Sequence, residues 1–277
     1  MYKRKLCLGT SSQFGIGTDE QIALFKKTGF DAFFPMWSRG CDFDSTARAA
    51  RENEMIIQSV HAPFGNSAHM WGDDADAGAD ALKELISCLE CCAEYGVPIM
   101  VAHAFIGFND HTPTAAGLER FGEAVKRAAS LGVKIAFENT EGEEYLAALL
   151  SCFSGDSTVG FCWDSGHEMC YNRSRDLLAL YGDRLLCTHL NDNLGIKDYD
   201  GSITYIDDLH LLPFDGIADW DGVAARLKRA GFDGILTFEL CTESKPGRHE
   251  NDVYSAMPTE QYISECYKRA CRVAAKL

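Results

Sequence analysis

Eight short apolar runs punctuate the chain, alternating with segments whose apolar residues recur at helical spacing. The runs are KLCLGTS, FDAFFPMW, MIIQSVHAP, PIMVAHAF, VKIAFEN, VGFCWDSG, LLCTHLND and GILTFEL. Runs this short and this apolar read as strands buried on both faces, as parallel strands covered by helices must be. Helical patterns are clearest over 18–29, 79–96, 118–132, 219–231 and 259–277. Thr18 with Gln21 reads as a capping box, and Gly29, Gly96, Gly132 and Gly231 stand where helices end. Eight strand–helix units in 277 residues, near the ~250 residues typical of the architecture, predict a closed (β/α)8 TIM barrel. No linker or low-complexity stretch divides the chain, so residues 1–277 are expected to form a single domain. An open doubly wound sheet would carry a glycine-rich phosphate loop after its first strand, and GTSSQFG is not one.

Charge narrows the choice of partner. With 26 Lys and Arg against 41 Asp and Glu, the net charge is −15. Such a surface repels phosphodiester backbones, and no clustered basic run offers a compensating groove, which argues against a nucleic-acid partner. The N-terminal MYKRKLCLGTSSQ lacks the apolar core of a signal peptide, and no apolar run is long enough to span a bilayer. A cytoplasmic location without membrane association is therefore expected, with the 12 cysteines held mostly as reduced thiols. Cys88, Cys91 and Cys92 recur at i, i+3, i+4 and are expected on one buried helix face as small hydrophobes.

In a (β/α)8 barrel, chemistry collects at the C-terminal ends of the strands. Those ends carry His61, His103, Glu138, Asp164 with His167 just beyond, His189 and Glu239. The connection NLGIKDYDGSITYIDDLHLLPFDGIA, roughly 25 residues, is long for a compact domain and adds Asp208 and His210. Taken singly, a strand-end His is commonly a hydrogen-bonded core residue and a strand-end Asp commonly caps a helix. Taken together, so many ionisable groups in one place would be costly to bury without a cation. Nitrogen and carboxylate donors with few thiolates suit Zn²⁺ or Mn²⁺ first, with Fe²⁺ and Co²⁺ also compatible, in a site of one to three ions. Strand parity puts Cys162 and Cys187 one layer below Asp164 and His189 as core fillers, whereas Cys241 lies beyond Glu239, nearer the mouth.

The mouth loops carry Phe14, Trp37, Phe64, Trp71, Phe105, Phe108 and Trp163. Aromatics there can stack on the apolar faces of sugar rings, although the outward parity of Trp163 points to packing between barrel and helices. The cations of these loops, Arg39, Arg173, Lys197, Lys245 and Arg248, are interleaved with Asp73, Asp74, Asp198, Asp200, Asp207 and Glu243. Charge steering in such surroundings disfavours a polyanion and favours a small carbohydrate.

The segments VHAPF, FENT, DSGH, HLND, DLHLLPFDG and FEL, with the strand-end His103, resemble over nearly the full length the xylose isomerase-like TIM barrels. That superfamily holds sugar-phosphate isomerases and epimerases together with endonuclease IV. Resemblance to the ketose 3-epimerases implies four metal ligands, Glu138, Asp164, His189 and Glu239, with His167 contacting substrate and Glu144 as a hydroxyl contact. Those enzymes carry an arginine after the strand-seven His, where this chain has Asp208 and His210. Resemblance to endonuclease IV implies a multi-zinc site using all nine residues: His61, His103, Glu138, Asp164, His167, His189, Asp208, His210 and Glu239.

Two chemistries follow. In the first, a divalent ion polarises a sugar carbonyl and adjacent hydroxyl and stabilises an enediolate, with Glu138 and Glu239 exchanging the proton and His167 holding an oxygen. In the second, several zinc ions clamp a phosphodiester. The acidic mouth favours the isomerase or epimerase. A dehydratase using the same enediolate chemistry, and a binding protein with a degenerate site, are the other readings. A homodimer would be ordinary for such a barrel.

Overall fold

The computed structural model describes residues 4–109, 112–196 and 203–277. Nine strand segments follow in order: β1 (Leu6–Gly9), β2 (Ala32–Phe34), β3 (Ile56–Ile57), β4 (Val60–His61), β5 (Ile99–His103), β6 (Lys134–Glu138), β7 (Val159–Asp164), β8 (Leu185–His189) and β9 (Leu236–Phe238). All ladder pairs are parallel, in two arcs, β3-β2-β1-β9 and β4-β5-β6-β7-β8.

The third expected strand is split. Pairing stops at the buried Gln58 and Ser59, whose side chains bond each other at 2.6 Å, so β3 pairs with β2 and β4 with β5. Parallel bridges close both seams, Met36 with His61 and Leu190 with Phe238. At those seams the His61 N–H donates to Pro35 O (2.9 Å) and the Leu190 N–H to Thr237 O (2.8 Å). The expected (β/α)8 barrel is the fold.

Ten helices lie among the described residues: α1 (Thr18–Thr28), α2 (Phe43–Glu52), α3 (Ala75–Glu94), α4 (Ala115–Leu131), α5 (Glu143–Cys152), α6 (Ser165–Cys170), α7 (Leu177–Tyr181), α8 (Trp220–Arg229), α9 (Asp252–Ser255) and α10 (Thr259–Ala274). α3 and α4 start earlier than their apolar periodicity suggests. Asp74 accepts from the Asp76 and Ala77 N–H groups and Thr114 from that of Gly117, capping each helix upstream of its apolar stripe. The expected capping box at Thr18 does not form. Gly17 precedes the helix without a side-chain cap, and the Gln21 side chain turns away, its Nε2 donating to Ser11 O and Ile16 O at 2.9 Å. The four helix-end glycines all have positive φ.

A continuous apolar layer fills the space between strands and helices, with Cys88 and Cys92 of α3 fully buried in it and Cys91 partly so. The barrel interior is filled differently, by small side chains. Val101, Ala136, Cys162 and Cys187 form one group, and Cys7, Ala32 and Phe34 another. Phe34 is the large member and lies across the interior because β1 ends in glycine: a Cβ on Gly9 would meet its ring at 2.6 Å. Small residues below and one ring above leave the C-terminal rim open for polar groups. No helix of the described residues is long and apolar enough to cross a membrane.

Candidate metal centre

Glu138, the last residue of β6, is the hub of that rim and is wholly buried. Its Oε2 lies 3.2 Å from His61 Nε2 and 3.5 Å from His103 Nε2. Its Oε1 lies 3.0 Å from His189 Nδ1 and 3.5 Å from His167 Nδ1. The same His189 nitrogen is 3.0 Å from Glu239 Oε2. Phe34 stacks on the His189 ring, centroids 4.6 Å apart at 12°, and forms its apolar floor.

β7 passes into α6 without a loop, so Asp164 ends the strand and caps the helix at once. Its Oδ1 accepts the His167 N–H at 2.6 Å, fixing His167 in the first turn, and its Oδ2 accepts from Asn191 Nδ2 at 2.8 Å. From the long loop, Asp208 Oδ2 stands 2.9 Å from His210 Nε2 and 3.4 Å from His167 Nε2. His210 has φ 46, a left-handed backbone that a β-carbon disfavours and that persists only where its surroundings enforce it. Leu211 pairs antiparallel with Asp192, and the buried Asp192 carboxylate gathers the Phe214 and Ala218 N–H groups and the Trp220 indole, each at 2.9 Å.

The imidazoles are oriented from behind. His61 Nδ1 contacts Ala62 O at 2.7 Å, His167 Nδ1 contacts Asn139 O at 3.0 Å, and His210 Nδ1 contacts Glu239 O at 3.2 Å. A carbonyl only accepts, so each Nδ1 carries its proton and each Nε2 turns toward a carboxylate, the arrangement usual behind metal-binding histidines. A lone pair facing a carboxylate at that range needs a proton or a metal ion between them. Without an ion, a proton takes this role. Burial lowers the His189 and His167 basicities, but Glu138 with Glu239, and Asp164 with Asp208, outweigh it and raise both well above the usual range. His210 is raised to about 9, Asp208 overcoming burial.

The carboxylates mirror this pattern. Against the upward push of burial, His189 and its neighbours hold Glu138 well below the usual range, His189 and His210 hold Glu239 at about 2, and His210 and His167 hold Asp208 low. Burial prevails at Asp164, which rises to about 6, and at His103, which is lowered. Buried polar atoms without partners remain at His103 Nδ1, His189 Nε2 and Asp208 Oδ1.

Three donor groups, each with ligand atoms within 4.8 Å of one another, take in all nine residues: His61, His103 and Glu138; Glu138, Asp164, His189 and Glu239; and His167, Asp208 and His210; a further group, His61, His189 and Glu239, overlaps the first two. Their hard oxygens and borderline nitrogens fit a divalent first-row cation. Cys162 Sγ comes within the same reach of Glu138 and His189 from below, but burial holds its thiol well above the usual range. All nine expected ligands are therefore in one place.

Comparison with known proteins agrees with the fold. The profile described as xylose isomerase-like TIM barrel matches residues 22–265. The chain belongs to that family. A relative from Sinorhizobium fredii (strain NBRC 101917 / NGR234), the uncharacterized protein y4fM, is 30% identical over 230 residues, 76% of this chain. This barrel spans only 63% of that protein's length. Among solved structures, an IolI protein with bound zinc superposes with TM-score 0.77 at 20% identity over 98% of both chains. The 3-keto-D-glucoside 4-epimerase YcjR from E. coli gives 0.71 at 16% identity over 96% of this chain and 99% of the other. A D-tagatose 3-epimerase-like protein gives 0.70 at 18% over 97% and 98%. At these identities the three structures speak for the fold of this xylose isomerase-like barrel.

The expected substrate contacts fare unevenly. Phe64 is at the centre, stacked on His103 with centroids 4.7 Å apart and edge-on to His61. Phe14 is not at the mouth: it is 2% exposed and packs edge-on against Phe25 and at a tilt against Tyr262. Its loop folds inward because a 3-10 turn, Ser12–Phe14, packs against the start of α10, where Thr259 Oγ1 donates to Phe14 O. Trp37 is also withdrawn, buried in the core beside Cys91 of α3. Phe105 is buried and stacks on Tyr145 at 4.1 Å. Glu144 is exposed in the first turn of α5, where its charge suits the helix dipole.

Trp163 packs outward as parity suggests, its indole N–H donating to Glu168. Cys241 is a protonated thiol, pushed to about 12 by burial. Lys197, Asp198 and Asp200 lie outside the described residues. Reading the sequence missed Asn139 and Asn191, which hold Asp164, and Tyr171, whose ring lies 5.2 Å from that of His167. Both asparagines sit inside quoted segments, FENT and HLND, immediately beside or two residues beyond a ligand.

Proposed function

We propose that this barrel is a divalent-metal-dependent isomerase or epimerase of a sugar or sugar phosphate, a single cytoplasmic domain whose ion is held by Glu138, Asp164, His189 and Glu239. The observation that carries the reading is the position of Glu239. Its side chain is 25% exposed while touching the fully buried His189, and it lines a cavity of about 940 Å³ between residues 9–21 and 34–46. One carboxylate thus joins the donor cluster to a space large enough for a small molecule. Support comes also from the names of similar folds, a 3-keto-D-glucoside 4-epimerase, a D-tagatose 3-epimerase-like protein and a zinc-bound IolI.

Zinc or manganese bound there would act as a Lewis acid on neighbouring substrate oxygens and lower the cost of an enediolate. Glu239, ionised and open to the cavity, is placed to take a proton from a substrate carbon. Glu138 is buried behind Glu239 with both oxygens on imidazoles, so its part is to hold the ion and, when one imidazole yields, to return the proton. His167, anchored through Nδ1 and through its own N–H, would turn Nε2 from Asp208 to a substrate oxygen.

The three donor groups also favour an endonuclease IV-like multi-zinc phosphodiesterase. Against it, Arg39 is engaged with Asp80 and Arg248 with Glu250, and the cavity lining includes Asp19, Glu20 and Asp42 but no Lys or Arg among the described residues. The test is a panel of ketoses and ketose phosphates in deuterated water, run beside an abasic-site duplex. Deuterium entering C1, C2 or C3 of a sugar, abolished in Glu239→Gln while the fold persists, is the expected result. Strand nicking without exchange would reverse the ranking.

A further inference from the structure

Nine donors in three groups could serve three ions, yet one cation of the chain already stands at the edge of the third group, beside Asp208. Lys245 Nζ lies 3.8 Å from Asp208 Oδ2, with 24% of its side chain exposed. The loop bearing it is stitched to the segment bearing Asp208 and His210. The Cys241 N–H donates to His210 O at 3.1 Å, Asn251 Nδ2 to Leu209 O at 3.5 Å, and Arg248 pairs with Asp207 at 3.8 Å. The ammonium is therefore held beside Asp208 by the fold, with the buried, unpartnered Asp208 Oδ1 still able to receive it.

Charge balance points the same way. The cluster contains four carboxylates, Glu138, Asp164, Asp208 and Glu239. Three divalent ions would overcompensate them by two charges even before Lys245 is counted, a difference that bound hydroxide would have to make up. One ion with Lys245 leaves a single negative charge.

We propose that the Lys245 ammonium takes the place of a metal ion at Asp208, so that the centre binds one ion and the His167–Asp208–His210 triad serves substrate. The idea rests on the four-ligand assignment made above and deepens it. It separates this chain from a three-metal site built of the same nine residue types.

Chelator-treated wild type, Lys245→Met, Lys245→Arg and the double variant Lys245→Met with Asp208→Asn would be dialysed against ZnCl₂, and against CoCl₂, with bound metal measured by mass spectrometry. Circular dichroism confirms the fold of each. One ion per chain is expected for wild type, Lys245→Arg and the double variant, and two for Lys245→Met, with a second cobalt(II) absorption band. The second ion should bind at least about tenfold more weakly wherever the ammonium is present. Wild type binding two or three ions, or Lys245→Met staying at one, overturns the role of Lys245 alone. No ion in any protein overturns the four-ligand site and Lys245 together.

Discussion

Behind the rim, Arg226 of α8 clamps the two elements that deliver Asp164 and His167. Its Nη1 and Nη2 meet Glu168 Oε1 and Oε2 at 2.7 Å each, and its guanidinium lies 4.8 Å above the Trp163 ring. Glu168, with 4% of its side chain exposed, also accepts from Trp163 Nε1 and the Leu177 N–H at 3.0 Å. Arg226→Met removes the guanidinium and leaves a buried carboxylate with two neutral donors. Breaking a buried pair from one side costs about 3–5 kcal/mol, because the remaining charge stays buried. The two retained donors put the expectation near the lower end, with the lost cation–π contact of about 0.5–2 kcal/mol opposing them. At about 2–3 °C per kcal/mol for a chain of this size, the melting temperature should fall by roughly 6–15 °C. Urea unfolding of zinc-saturated and chelator-treated protein measures the free-energy loss and a thermal melt the shift, and Glu168→Met added to Arg226→Met should recover part of the loss. A loss below about 1 kcal/mol, with no recovery in the double variant, would mean the pair behaves as a surface ion pair and does not hold α6.

Two further outcomes follow from the same geometry. A Cβ at Gly166 would come within 1.8 Å of Asn191 Oδ1, displacing the donor of Asp164 Oδ2; Gly166→Ala should therefore weaken zinc about 10–100-fold by competition dialysis while the barrel remains folded. In ion-free protein, His210 is raised to about 9 from an unfolded value near 6.5, so its contribution is complete below about pH 6.5 and lost as pH rises toward 9. Glu239, held at about 2, contributes above its unfolded value near 4.3 and loses that contribution as pH falls toward 2. Urea midpoints of the ion-free protein should accordingly decline between about pH 7 and 9, and midpoints that rise over that interval would contradict the His210 assignment.

The barrel and the gathering of polar side chains at its rim were legible because both rest on local chemistry. Apolar runs mark strands, and a polar residue closing such a run is placed at the rim by the topology alone. Glu138, Asp164 and His189 needed nothing more. Phe14 and Trp37 were misplaced because an aromatic in a loop carries no sign of which way the loop folds; tertiary packing against Tyr262 and α3 decided that. The split at Gln58–Ser59 was hidden for a related reason, since a polar pair inside an apolar strand is satisfied here by its own side chains. Lys245 could not be assigned from sequence, because its neighbour Asp208 lies on a different loop and their approach is set by hydrogen bonds such as that of Cys241 to His210. Arg226 and Glu168 pair across 58 positions and gave no local signal.

The most direct test of the centre is calorimetric titration of zinc into chelator-treated protein at pH 7, in two buffers of different ionisation enthalpy. An ion in the four-ligand site must displace the proton that Glu138 and Glu239 keep on His189. Saturable binding with proton release, lost in Asp164→Asn, is the result expected. Heats no larger than dilution, or binding that releases no protons, would mean that these nine side chains satisfy one another and hold no metal.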